Sequence, residues 1–175
     1  MSSLFFHIDH TPTMRVMAFH AMGPTQKEDA AQLMQEWFLQ QQLPEGHVPR
    51  IFSYYKKNPE SGKGDFGYEM LITLPETGTF TPEVSVSVLD ACSYACVSSD
   101  KPEWGFVREN LKQGPFYENV DNQWVATQAY GGFLNRQWLV EQHVVPESIA
   151  QFMLTSLTPF EYSGYTVMIP IAKTA

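Results

Sequence analysis

The sequence predicts an α+β domain: duplicated β-α-β-β units forming a curved, largely antiparallel sheet, two helices on one face, and a ligand groove between the halves. Three observations carry this. Segments with strand and helix periodicity follow in the order strand, helix, strand, strand, and the second half repeats that series. Gly67–Leu74 (GYEMLITL) lies over Gly164–Ile171 (GYTVMIPI) with Gly, Tyr and Ile in register, the mark of an internal repeat. The chain has 175 residues, 43% hydrophobic and 17% charged, which suits one domain and excludes disorder. The pseudo-repeats fall at about 1–80 and 81–175 of a single domain.

The first strand is read over Met14–His20, ended by Gly23-Pro24. Thr25 with Glu28 has the form of a capping box, in which each side chain satisfies a backbone amide of the helix start. Ala30, Leu33, Met34, Trp37 and Phe38 then recur at i, i+3, i+4, i+7 and i+8, so an amphipathic helix runs to about Gln41. After a loop with Pro44, Gly46 and Pro49, Arg50–Lys56 and Phe66–Leu74 read as two strands. In the second half, Val84–Val97 is one long strand or two short ones. Asp100, Pro102 and Glu103 open a helix carrying Trp104, Val107 and Leu111. The stretch 116–133 has no clear period. Arg136–Val145 reads as a strand, Pro146 opens a short helix through Phe152, and Gly164–Ile171 closes as a strand.

Composition narrows the function. A net charge of −8 offers no field for phosphate backbones, so direct nucleic-acid binding is not expected. No apolar run reaches the ~18 residues of a membrane span and the start has no signal-peptide pattern, so a cytoplasmic location is expected. Cys92 and Cys96, four apart on a strand, lie about 13 Å from one another, beyond the ~7 Å limit of a disulfide. They read as small buried hydrophobes. His7 and His10 read as terminal surface residues with no third ligand nearby, so neither metal nor cofactor is expected. Gly62–Gly67 matches GxGxxG but precedes a strand, which makes it a hairpin turn rather than a phosphate cradle.

Strand alternation then picks out the candidate site. Tyr68, Met70, Ile72 and Leu74 form one face of their strand, and Gly67, Glu69, Leu71 and Thr73 the other. On 136–145, Trp138, Val140 and Val144 oppose Leu139, Glu141 and His143. If the apolar faces meet the helices, each half sets one carboxylate, Glu69 or Glu141, mid-strand on the open face. These are either ordinary solvent-facing residues or acids at the floor of an aromatic groove lined by Tyr54, Tyr55, Trp104, Tyr130 or Phe133. Such a groove attracts flat or cationic molecules through its ring faces, and a partly desolvated Glu can serve as general acid or base. Trp104 fits core packing as well as a ligand platform.

Tyr54-Tyr55-Lys56-Lys57-Asn58-Pro59, Gly67-Tyr68-Glu69, Tyr94-Ala95, Glu141 and the closing Val167–Ile171 together resemble the GyrI-like small-molecule-binding family. That family includes effector-binding domains of AraC-type and MerR-type drug-sensing regulators. The resemblance implies a stand-alone domain that binds aromatic or cationic drug-like molecules, with Glu141 meeting the ligand and aromatics around it. Taken with the strand reading, the candidate ligand-binding residues are Glu141, Glu69, Tyr54, Tyr55, Trp104, Leu139, His143 and Met168. Two departures stand out: a long 115–136 connection, and Gln142-His143 where the family has an aromatic. One branch resembling this form is implicated in hydrolysing cyclopropanoid alkylating toxins, a role for which Glu141 and Tyr54 would be the catalytic pair. A third reading is a protein-binding module of the gyrase-inhibitor type. The chain has no evident helix-turn-helix, so regulation of transcription would require a partner regulator protein.

Overall fold

The computed structural model describes residues 7–41, 47–57, 66–75, 86–99, 124–126 and 139–173. In chain order these form β1 (His7–Thr11), β2 (Met14–Ala21), α1 (Gln26–Leu39), β3 (Ile51–Lys57), β4 (Phe66–Thr73), β5 (Ser87–Leu89) and β6 (Cys92–Ser98). They continue with β7 (Trp124–Ala126), β8 (Leu139–Val144), α2 (Pro146–Thr155) and β9 (Tyr162–Lys173). The strands join in one antiparallel sheet of order β1-β6-β9-β8-β3-β4-β2-β5, with β7 added to β9 beside β8. It curls into a half-barrel, so residues far apart in the strand order meet across its concave face.

The strand order is symmetric about the β3–β8 seam. On one side stands β3-β4-β2 and on the other β8-β9-β6. The short strand before each set crosses to the other: β1 pairs with β6, and β5 with β2. The helix expected from Asp100 to Leu111 lies outside the described residues, as does most of 116–133.

One face of the sheet is covered by both described helices. Ala30, Met34, Trp37 and Phe38 of α1 and Phe152 of α2 pack with Phe19, Ile51, Tyr68, Met70, Ile72, Leu74 and Phe160. Phe160 anchors the junction, edge-on to Phe152 at 4.9 Å and to Phe38 at 5.4 Å between ring centroids. Tyr68, Met70 and Ile72 of β4, with Leu74 just beyond it, are the residues that alternation assigns to the helix side. Two details of α1 depart from expectation. Leu33 is 46% exposed rather than buried, because the helix turns it past the edge of the apolar stripe. Thr25 is the N-cap residue, but its side chain caps no amide. Its backbone (φ −110, ψ 29) lies outside the extended region that aims a hydroxyl at the first turn, and Oγ1 donates to Asp29 Oδ2 at 2.9 Å instead.

Elsewhere the expectations extend or sharpen. His7 and His10 belong to a strand, β1, although both are exposed; His10 is held by Ser93 at 2.7 Å. Val84–Val97 resolves into the two short strands, split at Asp90-Ala91. The helix from Pro146 continues three residues beyond Phe152. Ser148 stitches it to β9, donating to Val145 O at 2.7 Å and accepting from Glu161 N–H at 2.9 Å. Cys92 and Cys96 are both free thiols; Cys96 is buried as expected, whereas Cys92 is only half-buried near the sheet end.

Candidate functional site

The concave face has its own apolar floor. Val16, Phe52, Leu71, Leu89, Tyr94, Cys96, Leu139 and Met168 pack there, with Tyr54 among them. Strand alternation brings them together: Phe52 and Tyr54 of β3, Leu71 of β4 and Leu139 of β8 all point away from the helices. Leu139 stands opposite Met168 on β9, and Met168 opposite Cys96 on β6, so one row crosses the second half of the sheet.

A second row crosses the first half and is polar. His20, Glu69 and Tyr54 are register partners on β2, β4 and β3. Glu69 is only 5% exposed, and its Oε2 lies 3.9 Å from His20 Nδ1. A carboxylate so enclosed is uncommon, because burial removes its hydration. The Tyr54 hydroxyl is buried beside it without a hydrogen bond of good geometry. Burial, and after it the Glu69 charge, raise the Tyr54 pKa far above the usual phenol value, so this hydroxyl keeps its proton. Gly67 is what lets the row close up: a Cβ there would run into the His20 ring.

Glu141 stands differently. It faces Phe52 across the β3–β8 seam and Thr166 on β9, and its side chain is 20% exposed. Arg50, immediately before β3, grips it with a two-pronged fork, Nε donating to Oε2 at 2.7 Å and Nη2 to Oε1 at 2.9 Å. The same Nη2 lies 3.4 Å from Asp9 Oδ2 on β1, which the curl of the sheet brings across from the far edge. The guanidinium carbon sits 5.0 Å from the Phe52 ring centroid. The fork with Glu141, its negative charge and that of Asp9 together raise the Arg50 pKa, against the effect of burial. Next along β8, His143 Nε2 is 2.7 Å from Thr166 Oγ1.

Of the residues singled out from the sequence, the concave face gathers Glu69, Tyr54, Leu139, Met168, Glu141 and His143. Trp104, Tyr130 and Phe133 lie outside the described residues, and of Tyr55 only the backbone is described. Sequence reasoning missed Arg50, Asp9 and His20. Arg50 had a signal, since it precedes Phe52 by two and so shares its face. Tyr94 contributes a second enclosed hydroxyl, whose pKa burial pushes well above the normal range. A cleft of about 420 Å³ lies on the other side of the molecule, between α1 and Ser156–Tyr162, and contains none of the predicted ligand-binding residues. Among the described residues no three His, Cys, Asp or Glu side chains form a metal-binding group, and no helix is long and apolar enough to cross a membrane.

A model of the GyrI-like small molecule binding domain matches residues 5–141. The chain belongs to this family. The matched segment runs from the strand that carries Asp9 to Glu141 itself. Among solved structures, the GyrI-like chain resembles the C-terminal domain of EcmrR, at 10% identity and TM-score 0.55 over 98% of this chain and all of that one. It also resembles SAV2435 bound to tetraphenylphosphonium (8% identity, TM-score 0.47, 97% and 94% covered). A third is a hydrolase from Listeria innocua (9% identity, TM-score 0.49, 95% and 91% covered). No curated protein matches the sequence significantly. Small-molecule binding is thus the general role of the GyrI-like domain, and the half-barrel is shared with the EcmrR domain.

Proposed function

We propose that this GyrI-like domain binds aromatic or cationic small molecules on its concave face, with Glu141 and Glu69 supplying charge and Tyr54, Leu139, His143 and Met168 the walls. Tyr55 and Trp104 complete the proposed set. The observation that carries the reading is the nearly fully buried Glu69 carboxylate, set in an apolar floor that already holds two enclosed tyrosine hydroxyls. Enclosed hydroxyls of this kind are retained at a cost in stability, and a ligand that hydrogen-bonds with them recovers it.

A thermal-shift screen against aromatic cations and neutral aromatics tests this, because a ligand of the native state must raise the melting temperature. Hits are expected, and Glu141→Gln should weaken the cationic ones about tenfold. A screen without hits would leave the protein-binding reading in its place. Hydrolysis of reactive cyclopropanoid-type molecules is a second reading, favoured by one feature: the Tyr54 hydroxyl retains its proton beside a carboxylate, as a hydrogen-bond donor to a strained electrophile must. Mass spectrometry of each hit separates the two, since a hydrolysed ligand gains the mass of water and a sequestered one does not. In a hydrolase, Glu141→Gln or Tyr54→Phe would lower the rate while leaving binding in place.

A further inference from the structure

A carboxylate beside an aromatic ring offers a ligand cation two attractions, the charge and the ring face. Here a side chain of the protein already takes both. The Arg50 guanidinium forms the two-pronged contact with Glu141 at 2.7 and 2.9 Å and lies 5.0 Å from the Phe52 centroid. We propose that Arg50 is an internal counter-ion which occupies the cation subsite of Glu141 and Phe52 and sets the ligand selectivity of the groove. Neutral aromatics enter beside it, whereas a cation must displace it. The inference rests on the reading of the concave face as the ligand site.

Three features make Arg50 a displaceable occupant rather than a fixed strut. Its side chain is 33% exposed, so it has room to leave. Asp9 Oδ2, 3.4 Å from Nη2, is a second carboxylate that can hold it once Glu141 is taken. The cluster of Arg50, Glu141 and Asp9 carries one positive and two negative charges when ionised, so an incoming cation is still attracted. What it must break are two charge-assisted hydrogen bonds, which are among the stronger contacts in a protein. His143, two residues beyond Glu141 on β8, is occupied with Thr166.

The test compares two ligands of similar shape and different charge, tetraphenylphosphonium and triphenylphosphine oxide, by calorimetric titration of the full chain. Arg50→Gln should bind the phosphonium at least tenfold more tightly than the unmodified protein, with the oxide changed by less than threefold. Glu141→Gln in the Arg50→Gln background should abolish the gain. Arg50→Lys keeps the charge but loses the fork, and should tighten phosphonium binding by about threefold; it decides the matter if circular dichroism shows Arg50→Gln to be unfolded. Unchanged or weakened phosphonium binding in these variants, with the oxide still bound, overturns the counter-ion role and leaves the groove reading intact. If neither ligand binds any of the proteins, the groove reading fails and the inference falls with it.

Discussion

The two faces of one sheet are built from the same strands yet differ in kind. Toward the helices the alternate residues are mostly apolar, with Ser53 and Gln142 paired to each other as the exception, and Trp37, Phe38, Phe152 and Phe160 close over them. Toward the hollow, the intervening residues make an apolar floor just as deeply buried, but one that includes Tyr54 and Tyr94 and borders Glu69, Glu141, Arg50 and Asp9. A face that only had to be stable would not keep enclosed hydroxyls and a carboxylate, since each costs more to bury than an apolar group of its size. The helix side therefore holds the fold together, and the hollow carries the polar groups proposed to meet a ligand.

The largest expected effect breaks the helix side. Trp37→Ala should destabilise the domain by about 3–5 kcal/mol through the cavity it leaves, measured as a fall in the urea midpoint. Ligand affinity should be unchanged where the variant is still folded. An affinity loss of the same order would mean that the two faces are not separable.

Alkaline pH should act on the hollow. Burial pushes the Cys96 thiol up to about 12, and Tyr54 and Tyr94 are raised further. In the unfolded chain these groups ionise at about 8.5 for Cys and about 10 for Tyr. Their contribution is thus fully present below those values and is lost as pH rises, at about 1.4 kcal/mol per pH unit for each group ionised only in the unfolded state. Unfolding free energy should fall from about pH 9 upward, and Tyr54→Phe should flatten the fall between about pH 10 and 12. A pH-independent stability across that range would show that these groups are already ionisable in the folded protein.

The smallest effect lies outside both faces. A Thr side chain that caps a helix amide is worth about 0.5–2 kcal/mol. Because Thr25 spends its hydroxyl on an exposed Asp29 carboxylate, Thr25→Ala should cost less than about 0.5 kcal/mol in urea unfolding. A larger loss would restore the capping role that the sequence pattern suggested.

How much of this was legible in the chain follows from the range of each interaction. The face assignment of β4 was legible because a strand's side chains alternate with period two whatever surrounds them: Tyr68, Met70 and Ile72 went to one side and Glu69 and Leu71 to the other. The helix over 26–39 was legible for the same local reason, although the cap at Thr25 was not, since its geometry depends on how the chain arrives from Gly23-Pro24. β1 was missed because its hydrogen bonds come from β6, some eighty residues on, and its own sequence alternates too little to announce a strand. Arg50, Glu141 and Asp9 come from three distant segments. Nothing near Arg50 in sequence names its partner.

Local chemistry in the sequence therefore settled most of the strands, which side of the sheet the residues of β4 and β8 face, and that two carboxylates share the side away from the helices. Tertiary structure alone decided that one of them is sealed beside Tyr54 while the other is held by an arginine. The reason is physical: alternation is a property of a single strand, whereas burial and charge pairing depend on the curl of the whole sheet, which brings its far edges together across the hollow.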